Sequence, residues 1–132
     1  MSKTIIQRAT FKKVKPEDLY KVYLSSQKHS AAIGAKATVQ AKKGGRFSAF
    51  GMLSGKFLLL EKGKRIVQTW RSKSWKKGEA DSILILRFRK IKGGAVIDLI
   101  HDSVPDYDYR PIQEGWTQYY WRPWRKYLSK KK

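Results

Sequence analysis

A chain of 132 residues is long enough for one domain that buries roughly two-thirds of its unfolded surface. Its apolar content of 41% and aromatic content of 13% argue against disorder, and the lack of Cys excludes disulfides, thiolate chemistry and cysteine-ligated metals. Thirty Lys and Arg against ten Asp and Glu give a net charge of +20, a field that attracts polyanions without saying anything about fold. No apolar run approaches the roughly 20 residues of a membrane span, and "MSKTIIQRAT" lacks the apolar core of a signal peptide. The expectation is a cytoplasmic protein with one domain over 1–132, whose residues 128–132 form a frayed basic tail.

"TIIQRATF" (4–11) reads as a first strand, with β-branched and aromatic residues ahead of a lysine-rich turn. In "KPEDLYKVYLSS" (15–26), Pro16 and two acids mark a helix start, and Leu19, Val22 and Tyr23 follow at helical spacing. Ser26 is the expected cap of a second short helix, which Gly34 ends. Then come strands. Ala37, Val39 and Ala41 alternate with polar residues, Gly44-Gly45 makes a turn, and "RFSAFG" and "LSGKFLLLEKG" follow. "KRIVQTW" puts Ile66, Gln68 and Trp70 on one face; "DSILILRFRK" does the same with Leu84, Leu86 and Phe88. After Gly93-Gly94, Ile97, Leu99 and His101 share a side. Six consecutive strands with short turns imply an antiparallel meander.

The C-terminal segment, "RPIQEGWTQYYWRPWRKYLSKKK", carries Trp116, Tyr120, Trp124 and Tyr127 at helical spacing, with Leu128 extending the face. Pro123 should kink this helix or remove one of its hydrogen bonds. The aromatic stripe needs a large apolar partner, and the concave face of a twisted sheet supplies it. Two short helices close only one end of such a sandwich, so a cavity is expected between helix and sheet.

Ser48, Gln68, Trp70, His101, Trp116 and Tyr120 are the candidates to line that cavity. Trp70 is expected to be a core ring, whereas Trp75, beyond the strand end, should be partly exposed. Gln68 and His101 are polar groups on apolar faces and need partners: each other, backbone, water or a ligand. Lys73, Lys76 and Lys77 in a loop, and Arg122, Arg125 and Lys126 on the outer side of the last helix, form basic patches open to non-specific polyanion binding. Half of the acids fall within 98–114, where they either neutralise basic surface or mark a face used differently.

No catalytic residue, metal site or cofactor is expected. With His29 and His101 the only histidines, a His-rich metal site is excluded, and "GxGxxG", "GxxxxGK" and a nucleophile elbow are absent. Asp102, Asp106 and Asp108 lack the turn glycine and distal Glu of an EF-hand loop. An acid–base reaction built on His101 with Asp108 or a tyrosine is the enzymatic alternative.

"GGRFSAFG", then "LSGKFLLLEKGKRIVQTWRSKSWKKGEADSILILRF", "DLIHDSVP" and "EGWTQYYWRPWRKYL", resemble the domain homologous to the C-terminal part of the activator of the heat-shock protein 90 ATPase. That family lies in the START-like (SRPBCC) superfamily, and the resemblance runs from about Gly34 to Leu128. It implies an α+β helix-grip fold, β-α-α-β6-α, with a curved antiparallel sheet wrapped around a long C-terminal helix. It also implies either binding of an apolar small molecule in the cavity or a role as a module associated with a heat-shock protein 90 type chaperone.

Overall fold

The structure, a computed structural model, describes residues 2–130. Alternating inward and outward side chains build seven strands: β1 (Ser2–Lys12), β2 (Ala37–Val39), β3 (Arg46–Ala49), β4 (Leu53–Glu61), β5 (Arg65–Ser72), β6 (Ser82–Ile91) and β7 (Gly94–Pro105). They form one antiparallel sheet in the order β1-β7-β6-β5-β4-β3-β2. The six later strands are thus a meander, and β1 closes the sheet against the last of them.

Two helices fill the step from β1 to β2. In α1 (Pro16–Leu24), Pro16 stands in the first turn with Glu17 and Asp18, where the helix dipole favours acids. The Asp18 carboxylate accepts the Lys15 backbone N–H at 3.1 Å. The second helix, α2 (Ser26–Ile33), is capped by Ser25 rather than the expected Ser26. Ser25 Oγ accepts the Lys28 N–H, while Ser26 lies inside the helix and its hydroxyl accepts the Val39 N–H at 2.7 Å. One residue terminates the turn and the next ties α2 to β2. Gly34 ends the helix in the left-handed region, φ 69°, which a side chain resists.

The inner sheet face carries Ile5, Phe57, Ile66, Leu84, Leu86, Ile97 and Leu99, all essentially inaccessible. At Gly55 the backbones of β4 and β5 approach closely: a Cβ there would lie 2.0 Å from the Thr69 carbonyl oxygen and 2.9 Å from Gln68 Nε2. Gly55→Ala is therefore expected to lower the unfolding free energy by ~1–3 kcal/mol, through forced strand separation. Chemical denaturation checks it; an unchanged midpoint would show that the strands give way freely.

The C-terminal segment is continuous but not uniform. A 3-10 turn at Asp106–Asp108 leads into α3 (Tyr109–Gly115), a π-helical stretch at Trp116–Trp121, and α4 (Arg122–Lys130). The Arg122 N–H reaches back to the Thr117 carbonyl, five residues away. This widened turn lies directly ahead of Pro123, whose ring would crowd the Tyr119 carbonyl in a regular helix. Instead of the expected kink or lone missing bond, the proline is absorbed by a π segment. The insertion rotates Trp121 onto the buried face beside Trp116, Tyr120, Trp124 and Leu128. Residues 128–130, expected to fray, belong to α4, with Leu128 buried; Lys131 and Lys132 lie outside the described residues.

Candidate functional site

The helix and the sheet separate at one end, leaving a cavity of about 340 Å³. Its wall on the sheet side is Trp70 with Ser72; its wall on the helix side is Ile112, Trp116 and Tyr120. Phe50, Met52 and Leu53, from the β3–β4 turn, and Tyr119 form the rim, with Ser74 and Asp108 as further polar members. The volume lies at the lower end of small-molecule pockets, and the lining has their character: mainly apolar and aromatic, with few polar groups.

Trp70 is the best-placed of these residues. It is buried, as expected, and packs edge-on against His101 at 4.7 Å and obliquely against Trp75 at 5.6 Å. Its indole Nε1–H has no hydrogen-bond partner among the described residues. A buried unpaired donor costs free energy, and this one has essentially no accessible surface, so it is the ring and not the N–H that Trp70 presents to the cavity.

His101 and Gln68 stand behind the cavity rather than lining it. Trp116 Nε1–H donates to His101 Nδ1 at 3.2 Å, which fixes the neutral tautomer with its proton on Nε2. That proton goes to Ser82 Oγ at 2.8 Å, and Ser82 donates in turn to the Trp70 carbonyl at 2.7 Å. Both ring nitrogens are used, and burial drives the imidazole pKa down to about 3. The chain of bonds positions two cavity tryptophans, and it leaves His101 no lone pair for a substrate proton. Gln68 accepts from the Tyr23 hydroxyl and donates to the Thr69 carbonyl. The two polar residues therefore find separate partners and not each other.

A second buried histidine was not singled out by sequence reasoning. His29 Nδ1 donates to the Tyr23 carbonyl at 2.7 Å, and its Nε2 accepts the Tyr120 hydroxyl at 2.9 Å. The Tyr120 ring thus lines the cavity while its hydroxyl is tied to α2. Burial lowers the His29 pKa to about 4 and pushes the Tyr120 phenol up.

Two expectations need correction. Ser48 does not face the cavity: Phe47 and Ala49 take the inward positions of β3, so the strand's two-residue period turns Ser48 to solvent. Trp75 is not partly exposed but 5% accessible. Its Nε1–H donates to Asp108 at 2.7 Å, and the Arg71 guanidinium binds the Lys76 and Glu79 carbonyls, folding the loop inward. Phe50 was also missed. It sits at φ 58° in a two-residue turn with Gly51, where Met52 N–H reaches the Ala49 carbonyl at 3.1 Å. Left-handed backbone is costly for a bulky residue, ~1–3 kcal/mol, and here it holds the ring against Tyr119 and Tyr120 at the cavity rim. The clue in the sequence was the aromatic immediately before a turn glycine.

The basic candidates are all exposed. Lys73, Lys76 and Lys77 flank the loop held at Asp108, and Lys76 lies 6.0 Å from the Tyr107 ring centroid. Arg122, Arg125 and Lys126 sit on the outer side of α4, with Arg125 bonded to the Thr10 carbonyl at 3.1 Å. The helix rises roughly 20 Å between Asp108 and Arg122, at ~1.5 Å per residue, so these are two patches and not one groove. Among the described residues no three His, Asp or Glu side chains cluster as a metal site. No helix among them is long and apolar enough to cross a membrane.

Comparison with known proteins gives this arrangement its relatives. The family profile "Activator of Hsp90 ATPase homolog 1-like protein" matches residues 13–129. The human activator of 90 kDa heat shock protein ATPase homolog 1 is 34% identical over 106 residues, which are 80% of this chain and 31% of that protein. The chain thus spans less than a third of that relative's length. Among solved structures, an HSP90 activator from Plasmodium falciparum superposes with a TM-score of 0.82 at 26% identity, covering 98% of this chain and 96% of that one. Protein MLL2253 from Mesorhizobium loti shares the fold, with a TM-score of 0.84 at 17% identity over 98% and 99% of the two chains.

Proposed function

We propose that this chain, which belongs to the activator of Hsp90 ATPase homologue 1-like family of the START-like superfamily, is a chaperone-associated module that docks on an Hsp90-type chaperone. The observation that carries this reading is the likeness to the Plasmodium chain described as an HSP90 activator, matched over nearly the whole of both chains. A soluble full-length chaperone from the same organism supplies the test. Its steady-state ATP turnover is expected to change saturably as this chain is added. Turnover that stays flat up to concentrations of tens of micromolar, with no complex formed, would discard the reading.

A second reading is favoured by the cavity itself. A pocket lined by Phe50, Trp70, Ile112, Trp116 and Tyr120 suits an apolar small molecule. Native mass spectrometry of protein purified gently from its own host reads this directly. A stoichiometric adduct lost on denaturation supports the cavity ligand; bare protein from several such preparations speaks against it.

A further inference from the structure

The register of the sheet brings together a surface that neither the cavity nor the helices use. On the outer face, Ile6 of β1 pairs with Ile100 of β7, Ile100 with Ile85 of β6, Ile85 with Val67 of β5, and Val67 with Leu59 of β4. Five aliphatic side chains from five adjacent strands therefore form one unbroken row. At ~4.8 Å between strands it is roughly 19 Å long. Ile6 is 75% exposed, Leu59 is exposed and the three between them are half-buried. An antiparallel sheet with one solvated face ordinarily alternates apolar inside with polar outside. Here the outward row is aliphatic all along; the positions that flank it are charged on one side, and on the other Ile83 stands between Asp102 and Thr69.

The neighbouring row, in the same register, is charged: Arg8, Asp98, Arg87, Arg65 and Glu61. Asp98 is bridged by Arg8 at 2.8 Å and by Arg89 at 2.6 Å, and Glu61 by Arg65 at 2.5 Å. Both acids of the row are thereby occupied. Arg87 is exposed, lies beside the aliphatic row at its centre, and has no ion pair among the described residues. No outward-facing position of these five strands carries an aromatic ring. Single-stranded nucleic acid binds through stacking rings as well as cations, so this face lacks half of what that partner needs. An apolar centre with arginine at its polar edge has instead the layout of a protein interface.

We propose that this outer sheet face is the docking surface for the chaperone. Its occupant is a protein face that presents an aliphatic ridge edged by carboxylates. The apolar ridge lies along Ile6–Leu59, and a partner carboxylate takes the Arg87 guanidinium. The inference rests on the chaperone reading above and adds the surface through which it acts.

Calorimetric titration of the full-length chaperone with variants of this chain tests it. Val67→Thr, Ile85→Thr and Ile100→Thr together keep β-branching while removing the apolar row. This triple variant is expected to raise Kd at least tenfold. Arg87→Glu is expected to raise Kd several-fold and to flatten its salt dependence, while Lys28→Glu on α2 leaves it unchanged. Thermal melts establish that each variant is folded. Should the triple variant not fold, Ile6→Thr on the exposed edge strand and Arg87→Glu decide the matter. Wild-type binding with unaltered affinity in the folded outer-face variants overturns the proposed surface and leaves the chaperone reading standing. Wild-type protein that does not bind at all overturns both. A 20-nucleotide oligo-dT that binds wild type and is lost with Arg87→Glu, while chaperone affinity holds, assigns the face to nucleic acid and overturns the proposal as well.

Discussion

Replacing Trp124 with alanine is expected to lower the unfolding free energy by ~3–5 kcal/mol. Trp124 is wholly inaccessible and meets Phe11, Tyr23, His29, Tyr120 and Trp121 at centroid distances of 5.8–6.4 Å. It is where the C-terminal helix, α2 and the sheet come together, so its removal leaves a hole that a rigid aromatic cluster fills poorly. Trp124→Phe is expected to cost much less. It keeps most of the ring and deletes an Nε1–H that has no partner among the described residues. Denaturant midpoints for the two variants provide the check. Equal losses would mean that the indole, and not the volume, carries the stability.

Acidification is expected to have an effect of similar size. His29 and His101 are neutral in the fold, their pKa values lowered by burial from 6.5 to about 4 and about 3. Each accepts one hydrogen bond at a ring nitrogen that protonation would turn into a donor: His101 from Trp116 Nε1–H and His29 from the Tyr120 hydroxyl. Unfolding frees them to titrate near 6.5, so below that pH the unfolded state binds more protons and stability falls as pH falls. Each histidine contributes a slope of ~1.4 kcal/mol per pH unit between its unfolded and folded values, or several kcal/mol in all by pH 4. The loss levels off below the folded values. Asp98, held below its usual 3.8 by Arg89, adds loss in the same direction only at lower pH. Urea unfolding at pH 7, 6, 5 and 4 measures this. A stability that stays level from pH 7 to 5 would show that the histidines are open to solvent.

The fold was legible because two periodicities persist over long stretches. Two-residue alternation named the inward side of β5, β6 and β7, and the aromatic spacing after Pro111 identified a helix that had to lie on the sheet. Where the reading went astray, the cause was non-local or irregular. The burial of Trp75 depends on Asp108 arriving from a distant helix start, and a loop has no period that would reveal it. Trp121 joins the buried face only because the backbone widens ahead of Pro123, a change that a constant 3.6-residue period does not carry. Ser48 is different: the alternation of Phe47 and Ala49 already turned it outward. His29 escaped notice because a lone histidine in a short helix has nothing local to mark it; its partners come from Tyr23 and Tyr120.

These features join in one account of function. The aromatic cluster fixes the last helix, the His101–Ser82 chain holds two tryptophans at a cavity, and the opposite sheet face displays an aliphatic row edged by arginine. Sedimentation velocity of the fluorescently labelled chain with full-length Hsp90-type chaperone, at physiological ionic strength, tests the chaperone reading most directly. The account predicts that the label moves into a faster boundary whose amplitude saturates with chaperone and falls in the outer-face triple variant. A label that sediments as free chain at every chaperone concentration would contradict it.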